Sequence, residues 1–168
     1  MPTNTTDFYL GNPNLKKVGA EIQFTKEQIS EYLKCKEDPV YFAMHYIKII
    51  SLDEGIVPFK MWDFQQELIE KFHKHRFNIA KLPRQTGKST TCVSYLLHYV
   101  LFNDNVNVGI LANKLSTARD LLGRLQLAYE QLPMWMQQGI ITYNKGSMEL
   151  ENGSKILAAS TSASAVRG

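Results

Sequence analysis

The chain has 168 residues, of which 44% are hydrophobic, and a formal net charge of +3 from 19 Lys and Arg against 16 Asp and Glu. This size and composition predict one α/β domain with an N-terminal extension in an ordinary soluble protein. The small positive charge excludes little and by itself barely supports nucleic-acid binding.

Targeting and cross-linking features are not evident in the sequence. The two cysteines, Cys35 and Cys92, have no recognisable spacing, so we expect reduced thiols of an intracellular protein and neither a disulfide framework nor a zinc site. Residues 1–20 lack the apolar core of a signal peptide. The longest apolar stretch, residues 40–50, is interrupted by polar residues and is too short to span a bilayer.

The N-terminal part of the chain divides into a leader and a helical segment. Residues 1–24 are rich in Thr, Asn, Pro and Gly, a composition typical of a flexible leader. In the helical segment, residues 25–56, Thr25 and Gln28 have the spacing of a capping box. This pattern predicts a helix that continues to about Lys36.

Two more helices are predicted before residue 75. The pair Asp38-Pro39 opens the second helix, because Pro suits the first turn. Its residues 40–50 are apolar nearly all round and are therefore expected to be buried. Asp63 is placed to cap a third helix, residues 64–74. The predicted inner face of this third helix consists of Phe64, Leu68, Ile69 and Phe72.

A phosphate-binding loop is indicated by the run Leu82-Pro83-Arg84-Gln85-Thr86-Gly87-Lys88-Ser89-Thr90. The apolar run 78–82 predicts a strand before the loop, and apolar side chains at helical spacing over residues 93–101 predict a helix after it. In that context the backbone N–H groups and the positive end of the helix dipole face an anion. The loop lacks the first Gly of the usual pattern, whose position is occupied by Leu82.

The loop residues predict the chemistry of Mg²⁺–ATP binding. Lys88 would reach the β- and γ-phosphates, and the Ser89 hydroxyl would coordinate Mg²⁺. Arg84 would donate two hydrogen bonds to a γ-phosphate oxygen pair, or else be a solvated loop charge. The candidate nucleotide-binding residues of the loop are Arg84, Gln85, Thr86, Gly87, Lys88, Ser89 and Thr90.

A glutamine upstream of the loop is a candidate for base recognition. The amide of Gln65 has a donor and an acceptor, which match the N6 and N7 edge of adenine. Phe64 or Trp62 would stack nearby. The alternative is that Gln65 belongs to the polar first turn of an amphipathic helix.

The second half of the chain alternates strands and helices. A buried strand is predicted at residues 106–112 and an amphipathic helix at residues 116–131. This alternation favours a parallel sheet with right-handed crossovers. Three short strands follow and would form an antiparallel ribbon, namely 140–143, 147–151 and 155–159. The pair Asn152-Gly153 predicts a two-residue hairpin turn in which both residues have positive φ.

Six sequence elements occur in an order that is similar to a known family. They are Asp63-Phe64-Gln65, the loop 84–90, the segments 108–114, 144–147 and 152–154, and the closing Ala165-Val166-Arg167-Gly168. Over residues 57–168 the chain resembles the N-terminal ATPase domain of the large terminase subunit of tailed bacteriophages, the T-even-like branch most closely. The missing first Gly and the Arg-Gln pair of the loop are features of that family.

The resemblance implies an α/β fold of the additional-strand P-loop NTPase type and a role for each matching residue. Gln65 would contact adenine, Lys88 and Ser89 would bind phosphate and Mg²⁺, and Arg84 would sense or stabilise the γ-phosphate. Arg167 would be a finger that acts on the ATP of the neighbouring subunit. The catalytic set implied in this way is Lys88, Arg84 and Arg167.

The resemblance also implies a biological setting. ATP hydrolysis would drive viral double-stranded DNA into a preformed capsid in the host-cell cytoplasm. The expected partners are the portal ring, the small terminase subunit, sister subunits in a homo-oligomeric ring, and DNA phosphates bound without sequence specificity. No membrane partner is expected. Lys114 and Arg119 are candidates for the DNA contact, with solvated helix charges as the alternative.

The catalytic acidic strand of such an ATPase has no match in this sequence. The resemblance places an apolar strand ending in Asp-Glu, the Walker B strand, about ten residues beyond Arg167, and a nuclease domain after that. Glu149 and Glu151 instead alternate with apolar residues, which is typical of the solvent face of a ribbon. We therefore expect residues 57–168 to be an incomplete ATPase domain that binds nucleotide weakly and hydrolyses almost none. The alternatives are a fragment of a superfamily-two helicase or translocase, and a non-catalytic nucleotide-binding fragment.

Overall fold

The computed structural model describes residues 7–51 and 53–161. Over these residues the chain forms five α-helices, six strands and a short 3₁₀ turn at Tyr9–Gly11. The α-helices are α1 (Lys26–Glu37), α2 (Pro39–Tyr46), α3 (Asp63–Lys74), α4 (Lys88–Phe102) and α5 (Leu115–Glu130). The strands are β1 (Lys48–Ser51), β2 (Gly55–Pro58), β3 (Asn107–Ala112), β4 (Ile140–Tyr143), β5 (Ser147–Leu150) and β6 (Lys155–Ser160).

The central sheet is mixed, with the strand order β3-β6-β5-β4. Strands β3 and β6 are parallel, and the other two pairings are antiparallel, so one parallel pair replaces the parallel sheet expected from the alternation of elements. Helix α5 contacts both β3 and β6, and α4 packs against α5. The shared core includes Ile110, Ile156, Leu122 and Leu125, all buried. The chain is thus an α/β protein with a mixed sheet.

The local signals at the first two helices are confirmed. Thr25 and Gln28 form a reciprocal capping box, with N···O distances of 3.0 and 3.2 Å. The carboxylate of Asp38 accepts hydrogen bonds from the first backbone N–H groups of α2 at 2.8 and 2.9 Å. The predicted cap at Asp63 is wrong, because Asp63 is the first residue of α3 and the N-cap position is Trp62.

The predicted end of the second helix is wrong. Helix α2 ends at Tyr46, and residues that were expected to continue it form β1, which pairs antiparallel with β2. Ile49 and Ile50 are β-branched and pair with Val57 and Ile56, so strand pairing outweighs the helical pattern here. This hairpin also crosses residue 56, where the sequence placed a domain boundary.

Part of the expected leader is packed against the sheet. Leu15 is only 2% exposed, and the backbone carbonyl of Lys16 accepts a hydrogen bond from Ile140 at 2.9 Å. The ammonium of Lys16 forms an ion pair with Glu151 at 3.3 Å. The expectation of a flexible leader therefore does not hold over residues 7–19, because an apolar anchor and an ion pair fix them, while residues 1–6 lie outside the described part.

The strand predicted before the phosphate loop is not formed. Residues 78–82 have no strand pairing with any other described residue, and the side chain of Ile79 is fully exposed. An apolar run becomes a strand only beside a strand edge that takes its backbone hydrogen bonds. The carbonyl of Leu82 instead accepts a hydrogen bond from Lys88 at 3.0 Å.

The later strands and α5 lie within one or two residues of their predicted positions, but the turn between β5 and β6 differs. It comprises residues 151–154, and only Gly153 has a positive φ, of 80°. The carbonyl of Leu150 accepts the Gly153 N–H at 3.0 Å. Asn152 keeps an ordinary backbone conformation and donates its side-chain amide to the carbonyls of Val100 and Asn103, so it joins the turn to the end of α4.

No helix in the ranges 7–51 and 53–161 has the length and hydrophobicity needed to cross a membrane.

Candidate functional site

The loop from Arg84 to Gly87 turns sharply into α4. Gln85 and Gly87 both have left-handed backbone conformations, with φ of 62° and 72°. The first backbone hydrogen bond of α4 runs from Thr91 N–H to the Gly87 carbonyl at 3.0 Å. Within the described ranges, the backbone N–H groups of residues 85–90 donate no hydrogen bond to the protein. The loop and the helix start thus concentrate unpaired donors in one place.

Gly87 is required at its position for two reasons. Its φ of 72° lies in the left-handed region, which an L side chain rarely adopts. A Cβ atom at Gly87 would also lie 2.5 Å from Nε2 of Gln65, inside van der Waals contact. The backbone of the loop therefore passes as close to Gln65 as its atoms allow.

Gln65 links α3 to the loop. Its Oε1 accepts a hydrogen bond from the Trp62 N–H at 2.9 Å, and its Nε2 donates to the Thr86 carbonyl at 3.0 Å. The side chain is 3% exposed. The sequence assigns the Gln65 amide to adenine. In the structure, its oxygen and one of its N–H groups already form hydrogen bonds within the protein.

The burial of Gln65 corrects the predicted inner face of α3. Phe64, expected inside, is 38% exposed, whereas Ile69 is fully buried as predicted. Trp62, before the helix, is 71% exposed. Helical periodicity favoured the apolar Phe64, and no local pattern indicated that Gln65 faces inward, because the N-cap residue Trp62 does not match the sequence of a capping box.

Lys88 folds back over the loop. Its ammonium donates to the carbonyls of Leu82, at 3.0 Å, and Pro83. The Thr86 hydroxyl also donates to the Pro83 carbonyl, at 3.0 Å. The loop is therefore closed by its own side chains, with the positive charge of Lys88 beside the unpaired N–H groups.

The remaining predicted residues of the loop are open to solvent or lie at the helix start. Arg84 and Ser89 are exposed. Thr90 is half-buried, and its carbonyl accepts a hydrogen bond from the Ser94 hydroxyl at 2.8 Å. The structure thus brings Gln65 and the loop residues 84–90 together, while Arg167 lies outside the described residues.

The first turn of α4 contains no acidic residue, and the described part of the chain holds no group of three or more His, Cys, Asp or Glu that could bind a metal ion. Glu149 forms an ion pair with Lys155 at 2.8 Å.

Glu151 is a structural carboxylate and does not lie on the solvent face that its alternation predicted. It accepts hydrogen bonds from the N–H groups of Gly139 at 2.7 Å and Gly19 at 3.2 Å. Burial acts to raise the pKa of Glu151, but these hydrogen bonds and Lys16 outweigh it and hold the pKa below its usual value. Glu151 is therefore ionised at neutral pH and clasps the N-terminal segment to the ribbon.

No protein-family model matches the chain.

Proposed function

We propose that the chain binds ATP with Mg²⁺ at the loop 84–90, and that it is the N-terminal ATPase portion of a terminase-like large subunit that powers packaging of viral double-stranded DNA. The observation that carries the first part is the set of unpaired backbone N–H groups from residue 85 to residue 90, beside Lys88. Backbone donors at a helix start, together with a cation, select a multiply charged anion. A nucleotide polyphosphate is such an anion.

Each polar side chain of the loop would contact a different part of the Mg²⁺–ATP complex. Lys88 would donate its third N–H to a phosphate oxygen, since an ammonium has three donors and two of them already bond carbonyls. Ser89 is exposed in the first turn of α4, and its hydroxyl would coordinate Mg²⁺. Water molecules and phosphate oxygens would be the other ligands of the ion. Bound Mg²⁺ would offset the negative charge of the phosphates. Arg84 is exposed and would reach the γ-phosphate.

The adenine contact is proposed to be aromatic. Trp62 and Phe64 expose their rings at the start of α3, and Gln65 joins that helix start to Thr86 in the loop. Stacking on an exposed ring requires no change in the loop. Gln65 would then act through the loop, by fixing its shape, as well as at the base edge that the resemblance implies.

The wider setting is carried by the sequence resemblance. It comprises cytoplasmic packaging of DNA by a homo-oligomeric ring, the portal ring and the small terminase subunit as partners, and Arg167 acting on the ATP of a neighbouring subunit. Each of these is a proposal for the complete motor, in which an acidic strand would supply the catalytic carboxylates.

Binding without turnover is the second candidate. No carboxylate within the described ranges forms a hydrogen bond or ion pair with Lys88, Ser89 or Thr90. The hydrogen bonds and ion pairs of these three residues therefore do not identify a general base for the attacking water. Single-turnover assays with radiolabelled ATP distinguish the two in the complete motor, which includes the acidic strand: the first requires phosphate release that depends on Arg84 and Lys88, and the second requires none.

The binding step is tested with a fluorescent ATP analogue and Mg²⁺. Lys88→Ala should weaken binding at least about tenfold, equivalent to about 1.4 kcal/mol. Lys81→Ala is the matched control, because Lys81 is an exposed lysine near the loop and should leave binding unchanged. Equal affinities of the wild type and Lys88→Ala, or no binding by the wild type, would refute the proposal.

A further inference from the structure

The hairpin of β1 and β2 is a two-stranded sheet, separate from the central sheet. A sheet of two strands is only marginally stable by itself, and its outer edges can pair with a further strand. A groove of about 300 Å³ lies between β1 and the helices α4 and α5. The hairpin therefore borders a space into which its sheet could extend.

This groove follows the edge of β1. Residues 47–50 all line it, whereas successive side chains of a strand point to opposite faces. A surface that touches every residue of this run must therefore include the edge of the strand. We call this surface the β1 groove.

The free edge of β1 carries the backbone groups of Lys48 and Ile50. The Phe59 N–H donates to the Ile47 carbonyl at 2.9 Å, so Ile47 occupies a hydrogen-bonded position that faces β2. The alternation of an antiparallel ladder then directs the N–H and C=O groups of Lys48 and Ile50 away from β2. Within the described ranges, these groups form no hydrogen bond outside the hairpin. The edge thus offers donors and acceptors to another strand.

The walls of the β1 groove are largely apolar, and its charges are positive. Helices α4 and α5 each present one face, with residues at helical spacing. These residues are Thr90, Val93 and Ser94 of α4 and Arg124, Leu127 and Ala128 of α5. Lys48 and Arg124 are exposed, the lining has no acidic side chain, and neither cation forms an ion pair with a described residue. The groove therefore favours an acidic occupant.

The free edge of β3 lacks this selectivity. Strand β3 is also at the edge of its sheet, and the sheet face beside it includes the half-exposed Leu111 and Leu157. The two charged residues that line the groove over that face, Lys155 and Glu149, form an ion pair at 2.8 Å. Because these charges offset each other, they favour neither an acidic nor a basic partner. The comparison favours the β1 groove as a site of defined chemistry.

We propose that the β1 groove binds an extended acidic segment of a partner protein, which adds to the hairpin as a third strand along β1. Backbone hydrogen bonds to Lys48 and Ile50 would supply affinity, and alternate side chains would supply specificity. Apolar side chains of the segment would continue the face of the hairpin that carries the buried Ile47 and would pack near Val93. Acidic side chains would lie on the opposite face with Lys48, and Arg124 would add to the attraction from α5.

The test uses rhodamine-labelled peptides of about eight residues in which Val and Glu alternate, a length typical of a strand, with fluorescence anisotropy as the readout. The peptide should bind saturably, and a peptide of alternating Val and Lys should bind at least about tenfold more weakly because its charges are repelled. Absence of saturable binding by the acidic peptide would overturn the proposal.

The double variant Lys48→Gln/Arg124→Gln should weaken the acidic peptide by about tenfold, the loss expected for two exposed charge pairs. Lys26→Gln/Arg76→Gln is the matched control, because it removes one exposed Lys and one exposed Arg that lie outside the groove. The control should leave the affinity unchanged. An equal loss of affinity in both double variants would show a general effect of net charge and contradict the proposal.

Two N-methylated forms of the peptide test strand addition itself. In an extended chain the N–H groups of successive residues point to opposite edges, so methylation of all Val residues and methylation of all Glu residues block opposite edges. Only one edge can pair with β1, so one form should lose binding and the other should retain it. Equal affinities of the two forms, whether high or low, would refute pairing along β1.

This inference goes beyond the nucleotide site and does not depend on it. Thr90 lines the β1 groove and ends the loop 84–90, so the bound segment would lie beside the nucleotide, but Lys88 does not line the groove. Lys88→Ala should therefore lose ATP and retain the acidic peptide. Loss of the peptide in this variant would place it on the phosphate loop and overturn the proposal. Peptide binding in a protein that binds no ATP would support the β1 groove and refute only the nucleotide site.

Discussion

Replacement of Gln65 by Ala provides the sharpest test of how the loop is held. The substitution removes the acceptor of the Trp62 N–H and the donor to the Thr86 carbonyl. Trp62 is exposed enough for water to replace the first bond, but the Thr86 carbonyl loses a bond from a fully buried side chain. Two lost hydrogen bonds, both partly buried, predict a destabilisation of about 2 kcal/mol.

The assay is urea denaturation followed by circular dichroism at neutral pH. At a slope of about 2 kcal/mol per M, a loss of this size would lower the urea midpoint by about 1 M. Gln66→Ala is the matched control, since its side chain is only half-buried, and we expect it to change stability by less than about 0.5 kcal/mol. Coincident unfolding curves for the two variants would refute the reasoning.

Nucleotide affinity gives a second, independent measurement of the same variant. If Gln65 acts through the loop, Gln65→Ala weakens ATP and GTP by the same factor, because both share the polyphosphate. If Gln65 reads the adenine edge, ATP is weakened and GTP is not. The ratio of the two affinities therefore identifies the role of the side chain.

Three more substitutions have expected outcomes. Gly87→Ala should destabilise the protein by about 2 kcal/mol and abolish nucleotide binding, because of its left-handed φ and the contact of its Cβ with Gln65; unchanged binding would contradict the loop geometry. Gly123→Ala should stabilise α5 by about 0.8 kcal/mol, since its Cβ meets nothing, and an unchanged urea midpoint would count against that. Burial lowers the pKa of His98 to about 4, so its neutral form is favoured in the folded state. The resulting stability is complete above the unfolded pKa of about 6.5 and falls by about 3 kcal/mol as the pH drops towards 4. Urea midpoints at several pH values check this, and the same pH dependence in His98→Phe would exclude His98 as its source.

Elements with local signals were predictable from the sequence. The capping box of Thr25 and Gln28 and the cap at Asp38 involve residues three or fewer positions apart, so the sequence contains the whole interaction. The left-handed φ of Gly87 is likewise a local requirement, whereas its contact with Gln65 involves a residue 22 positions away.

Features that depend on distant partners were not predictable. The strand expected at residues 78–82 needs a neighbouring strand edge, which no described residue supplies. Strand β1 was not predicted because it forms by pairing with β2, which follows a turn. The inward orientation of Gln65 depends on the Thr86 carbonyl, 21 positions away. Residue type alone cannot specify such contacts, because tertiary packing decides between competing local preferences.

The clasp between Glu151 and the N-terminal segment has a consequence for synthesis on the ribosome. Lys16 and Glu151 are 135 positions apart, so the segment around Leu15 cannot dock until the ribbon has left the exit tunnel. At about 5–20 residues per second, that interval is on the order of ten seconds. During this interval the apolar side chain of Leu15 is exposed to water and to chaperones. The described residues that are synthesised first are thus among the last to pack.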